Sequence, residues 1–156
     1  MISPKRIVVP TMLAVALVAV ALLLRGKGRL ASTPEESVRM FLQSAQRGNT
    51  RDYLANLTGT LRASSESTQS QMGDEAFAAS LRKSVAGMKG CAISSVGAPS
   101  ADRTELDVEI VFSDRNERQR FILLQQNGAW LIQRIDNTDT VKPPVPYGAP
   151  VFDTGG

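Results

Sequence analysis

Three hydrophobic patterns follow one another along the chain. From Ile7 to Leu24 no position is charged and no polar face interrupts the run. From Thr33 to Met88 apolar residues recur at helical spacing where they recur at all. From Gly90 to Ile135 they alternate with a period of two, the repeat of a strand with one covered face.

The helical region opens with a full set of start signals. Thr33 can cap, Pro34 suits the first position, where its missing N–H is no loss, and Glu36 completes a capping box. Val38, Phe41, Leu42 and Ala45 then form one face, and Gly48 fits a C-terminal stop. A short second helix is predicted in "TRDYLANL", with Tyr53, Leu54 and Leu57 apolar. The stretch "RASSESTQSQMG" is polar throughout and is predicted as a flexible loop. A third helix is predicted in "DEAFAASLRKSVAGM", with Asp74 as its cap and Phe77, Leu81 and Val85 inward.

"GCAISSVGA" makes a weak first strand. "TELDVEIVFS" alternates cleanly, with Leu106, Val108, Ile110 and Phe112 on one face and Glu105, Asp107 and Glu109 on the other. "ERQRFILLQQ" follows a turn at "DRN", and a two-residue turn at Asn127 and Gly128 joins it to "AWLIQRI". That turn sets Leu123 opposite Ile132 and puts Phe121, Leu123, Trp130 and Ile132 on one face. A two-residue turn at "RN" would bring Val108 and Ile110 to the same face. The same register leaves Val111, Ile122, Leu124, Leu131 and Ile135 on the opposite face, where a solvated sheet should be polar. A second copy, a partner or the chain's own tail could cover them. A scatter of exposed aliphatics is the plainer alternative.

The first run now needs an explanation. Eighteen uncharged residues in a helix cover roughly 27 Å, close to the hydrocarbon thickness of a bilayer. A cleaved signal has a shorter core and small residues at its cut, whereas Arg25, Lys27 and Arg29 follow here. The run reads as a retained anchor, in contact with membrane lipid through residues 7–24. Basic residues flank it on both sides, so the positive-inside comparison nearly ties. The short basic tail with Lys5 and Arg6 favours a cytoplasmic N-terminus, a single pass, and a domain on the extracytoplasmic side. Charge agrees with this division. The chain of 156 residues has a net charge of +3, from 18 basic and 15 acidic residues. Five of the basic residues flank the anchor, which leaves thirteen against fifteen, a net of −2, for the rest. The basic character belongs to the membrane flanks, and no nucleic-acid partner is implied.

The order of helix, short helix, loop, helix and antiparallel meander resembles the nuclear-transport-factor-2-like superfamily. The segments that carry the likeness are "TPEESVRMFLQSAQRGNTRDYLANL" and "QQNGAWLIQRI". In that family a long first helix leads through a GD-x-x-x-A-type turn into a short one, and a Trp follows a tight turn in the last strands. The likeness covers about residues 33–137 and is nearest to small bacterial, SnoaL-like and lumazine-binding-like members, some membrane-anchored. It implies a cone-shaped fold, with a curved sheet around the first helix and a pocket between them. Phe41, Phe77, Val108, Phe121 and Trp130 are the expected pocket lining. Many members dimerise through the outer sheet face, which would account for the second apolar face here.

The predicted fold class is therefore α+β: an N-terminal transmembrane helix, then a cone-shaped domain of about three helices on a curved antiparallel sheet. The expected divisions are a basic tail (1–6), the anchor (7–24), a basic linker (25–32), the domain (33–137) and an extended Pro/Gly-rich tail (138–156).

Catalytic chemistry is hard to find. Enzymes of the resembled family mostly use Asp or His as acid–base groups, and this chain has no His. Glu105, Asp107 and Glu109 alternate away from the apolar face and read as solvated partners of Arg118 or Arg120. Asp52 beside Tyr53 could bind a polar ligand, but more simply serves a helix first turn. Ser80 and Lys83 match an S-x-x-K spacing by chance, since the companion motifs are absent. "RGKGR" lacks P-loop spacing. Asn56-Leu57-Thr58 is a glycosylation sequon only in a eukaryotic secretory setting. One Cys and no His leave no usual zinc ligand set. No catalytic, cofactor or metal residue is assigned. The expected function is a non-catalytic protein-interaction module, as a homodimer or an accessory subunit of a membrane complex. The alternative is a small-molecule binder or minor enzyme using the pocket between helix and sheet.

Overall fold

The computed structural model describes residues 30–98 and 100–141. The predicted anchor (7–24), its basic flanks up to residue 29 and the tail beyond residue 141 lie outside the described residues. Among the described residues no helix is long and apolar enough to cross a membrane.

Helix α1 (Pro34–Arg47) starts as its sequence dictates. Thr33 Oγ1 accepts from the Glu36 N–H at 3.2 Å, and the Glu36 carboxylate reaches back to the Ser32 N–H and hydroxyl, each at 2.9 Å. Its buried stripe carries Val38, Phe41, Leu42 and Ala45. Gly48 ends it in the left-handed region, at φ 65°. A β-carbon there would also collide with the guanidinium of Arg82, which crosses from a later helix. Gly48→Ala should therefore lower stability by about 1–2 kcal/mol or more, read as a lower urea midpoint with an unchanged slope.

Asn49 caps α2 (Thr50–Ala55), its Oδ1 accepting from the Asp52 N–H at 3.1 Å while its Nδ2 donates to Asp52 Oδ2 at 2.6 Å. The expected loop is instead a third helix, α3 (Gly59–Met72), which brings the number of helices among the described residues to four. Then comes α4 (Asp74–Ser84), with Phe77, Leu81 and the following Val85 buried. Gly73, not Asp74, holds its cap position, and Asp74 accepts from Gln69 Nε2 at 2.8 Å.

Strands β1 (Met88–Ser95), β2 (Arg103–Phe112), β3 (Asn116–Gln126) and β4 (Ala129–Val141) form one antiparallel sheet in chain order. The fold is thus α+β, four helices on a four-stranded meander. β4 runs to Val141, four residues into the predicted tail. The β3–β4 turn falls at Asn127 and Gly128, with Leu123 opposite Ile132 and Gln125 opposite Trp130. The β2–β3 turn lies two residues earlier than "RN". Val111 pairs with Asn116, and the Phe112 N–H donates to the Arg115 carbonyl at 2.9 Å. A shift of two residues preserves parity, so Val108 and Ile110 still face inward.

Two bulges in β4 each reverse parity. Ile122 pairs with Arg134 while Leu123 pairs with Ile132, so β4 carries one extra residue at Gln133. A second extra residue, at Thr138, reverses the parity again, so it is residues 134–137 that change face.

The outer edge of β4 is closed over its first residues by the chain itself. The Ile132 N–H donates to the Asn56 carbonyl at 2.8 Å, and the Thr58 N–H donates to the Ile132 carbonyl at 2.9 Å. The Trp130 N–H donates to the Ala31 carbonyl at 3.1 Å. The described chain therefore begins against the first residues of β4.

Candidate functional site

The five residues expected to line a pocket all belong to one buried cluster. Val108 and Phe121 are wholly buried, and Phe41, Phe77 and Trp130 nearly so. The Phe41 ring meets Phe121 edge-on at 5.9 Å and lies 4.6 Å from the ring of Tyr53, which in turn meets Phe77 at 6.0 Å. These are packed core contacts. Val108 also lines a cleft of about 240 Å³ beside Ile93, Glu109 and Arg118, and the two larger clefts described below are lined by other residues.

Tyr53 brings a phenol to the side of this cluster. Burial pushes its pKa above the ordinary 10.0. The sign follows from linkage: above pH 10 the unfolded chain loses this proton before the folded one does. Stability is then full below pH 10 and falls as the pH rises towards the folded value. Tyr53→Phe should remove that alkaline loss while leaving neutral-pH stability nearly unchanged, as denaturant titrations at pH 8 and pH 10.5 would read. Asp52, its neighbour, turns the other way and serves the Asn49 cap. The two side chains form no joint site.

The outer sheet face is part charged and part apolar. Arg120 Nε meets Asp107 Oδ1 at 2.9 Å, Arg118 approaches Glu109 at 3.6 Å, and Arg103 approaches Glu105 at 3.3 Å. Hydrogen bonding to Asp107 is the main cause of a raised Arg120 pKa. The predicted strand carboxylates are thus solvated members of cross-strand and same-strand pairs, each of small worth.

The five residues expected on the second apolar face do not form one patch. Ile122, Leu124 and Leu131 do lie together at one end, with Leu124 directly opposite Leu131. Val111 sits at the other end of β2, eight positions from Arg103, which pairs with Leu124. That is roughly 26 Å away at the rise of a strand. Ile135 is on the inner face. The bulge places it opposite Phe121, and it packs against the core. Ile122 is itself buried, while Leu124 and Leu131 are half-buried.

Two clefts have no counterpart in the sequence reading. One, of about 420 Å³, lies between α1 and α2 and is lined by Glu36, Arg39, Met40, Arg47, Asp52 and Asn56 among others. The other, of about 500 Å³, runs round the β4 bulge, with Leu61 and Ser64 of α3 on one wall and Ile122, Arg134 and Ile135 on the other. Neither has a sequence signal, because each depends on how α2 or α3 turns back over its neighbours. Among the described residues no group of His, Cys, Asp and Glu is placed to hold a metal ion. Ser80 donates to the Phe77 carbonyl at 2.8 Å, an ordinary helix contact.

No family model and no curated protein matches this chain. Among solved structures, a SEC-C-motif-containing protein from Rhodopseudomonas palustris matches 76% of this chain and 87% of its own, with 14% identity and a TM-score of 0.47. A protein described as a candidate scytalone dehydratase from Novosphingobium aromaticivorans matches 75% of this chain and 92% of its own, with 11% identity and a TM-score of 0.35. Both likenesses are of coarse outline, and nothing about activity or partners passes from them to this chain.

Proposed function

We propose that this chain is a single-pass membrane protein whose domain, of the nuclear-transport-factor-2-like kind, works as a non-catalytic protein-interaction module. It acts as a homodimer or as an accessory subunit of a membrane complex, with the domain on the extracytoplasmic side. The observation that carries this reading is the place of the Leu124–Leu131 pair. It is the apolar end of an otherwise charged face. It also lies one residue from Trp130, where Ala31 holds the start of the described chain. A half-buried apolar pair beside the tether is within reach of whatever shares the membrane plane. Packing of the core aromatics against one another supports this reading over a small-molecule pocket.

The test is mild-detergent extraction of the native protein, followed by sizing and mass spectrometry of what comes with it. The expected result is a dimer, or a complex with defined membrane proteins, in which Met1–Leu24 is still attached. A lone monomer, or a chain that starts beyond residue 30, would overturn it.

A further inference from the structure

We propose that α3 is a strap that opens about its two glycine ends while the rest of the domain stays folded, baring Ile122 at the apolar end of the outer sheet face.

What α3 lacks is the first reason. None of its fourteen residues is buried, and Thr58 makes no side-chain capping bond to it. It is polar nearly all round, and such a helix is not held by its own sequence. The hydroxyls of Ser65, Thr68 and Ser70 each donate at 2.9 Å to the carbonyl one turn back, a bond that competes with the helix ladder. The contacts that do hold it are few. Leu61 rests against the core and Gln69 donates to Asp74 of α4, while the exposed Arg62–Glu66 pair at 2.7 Å lies within α3 and ties it to nothing else. Water can replace the Gln69–Asp74 contact.

Its ends are the second reason. Gly59 has φ 60° and Gly73 φ 83°, and at Gly73 no atom lies within 4 Å of where a β-carbon would be. At Gly59 the nearest atom to that point is Gln133 Cγ at 3.8 Å, an ordinary contact with a flexible side chain, and as glycines both positions can rotate freely in φ.

What α3 faces is the third reason. Leu61 and Ser64 stand across the bulge cleft from Ile122 and Ile135. Opening would join Ile122 to Leu124 and Leu131, enlarging the apolar patch. A partner that prefers the larger patch would hold the strap open. That use rests on the protein-interaction reading, but the opening itself does not.

The test uses the full chain in detergent micelles. Amides of α3 should exchange at least ~100-fold faster than those of Phe121–Leu123, as expected of an independent opening unit. In an Ile122→Cys variant the new thiol should label without denaturant. Adding Ser67→Ala, Thr68→Ala and Ser70→Ala, which strengthen the helix at exposed positions, should slow that labelling roughly tenfold. Cys91, on β1, serves as the internal reference and should label at an unchanged rate. Exchange of α3 in step with β3 would overturn the proposal, as would Ile122→Cys labelling that ignores the three alanines. Neither result depends on whether a partner is found.

Discussion

Phe121→Ala should destabilise the domain by about 3–5 kcal/mol, the usual cost of emptying a fully buried aromatic site. Phe121 is wholly buried, meets Phe41 edge-on at 5.9 Å, and pairs across the sheet with Leu106 and Ile135. No neighbour can fill the hole without leaving its own place, because α1 and the sheet are both fixed by caps and ladders. For a domain near 100 residues the loss corresponds to a fall of roughly 12–20 °C in Tm, at about 4 °C per kcal/mol. Circular dichroism melts would read it. The result also bears on function. A cost under about 1 kcal/mol would mean that the site tolerates empty space, and a ligand pocket between helix and sheet would return as the better reading. Asp107→Asn is the comparison, since it breaks only a solvent-exposed pair and should change stability by no more than about 0.5 kcal/mol.

The elements that depend on local signals are legible in the sequence. Thr33, Pro34, Glu36 and Gly48 bracket α1 because caps act within a few residues of the helix end. Asn127-Gly128 fixes the β3–β4 register for the same reason. The inward set of β2 is the same for a turn at "RN" and for the turn two residues earlier, because side-chain direction has a period of two.

Two features are illegible for physical reasons that differ. The run that forms α3 has no apolar period, and its many Ser and Thr residues favour a helix only weakly. Its helical state depends on being bracketed between Thr58, held against β4, and Gly73 before α4. The bulge at Gln133 has no Gly or Pro to announce it. Yet that one residue moves Ile135 from the outer face to the core and cuts the predicted interaction surface to its Leu124–Leu131 end. Strand faces read from alternation hold only up to the first bulge. The carboxylates of β2 lie before any such break, and alternation alone puts them on the outer face; the β2–β3 turn then sets Asp107 against Arg120 and Glu109 against Arg118, while Glu105 meets Arg103 on its own strand.

Leu131→Glu should abolish the assembly while leaving the domain folded. Leu131 is half-buried, so a carboxylate there can reach water in the free domain at a small cost. In an interface the same carboxylate would be stripped of water opposite Leu124, and the two guanidiniums bordering the patch, Arg103 and Arg134, are already paired with Glu105 and Asp136. An unpaired buried charge is worth several kcal/mol, and even about 2.7 kcal/mol is a hundredfold in Kd. Light scattering of the detergent-extracted protein, with a melt to show that the fold is intact, separates the two effects. Val111→Glu is the control that the geometry supplies. It lies on the same outer face but at the far end of β2, beyond the Asp107–Arg120 and Glu109–Arg118 pairs, and should leave the assembly unchanged. Loss of assembly in both variants would mean that the whole face is covered, charged rows included. Loss in neither would remove the outer face from consideration and point to the edge of β1, which has a strand neighbour on one side alone among the described residues.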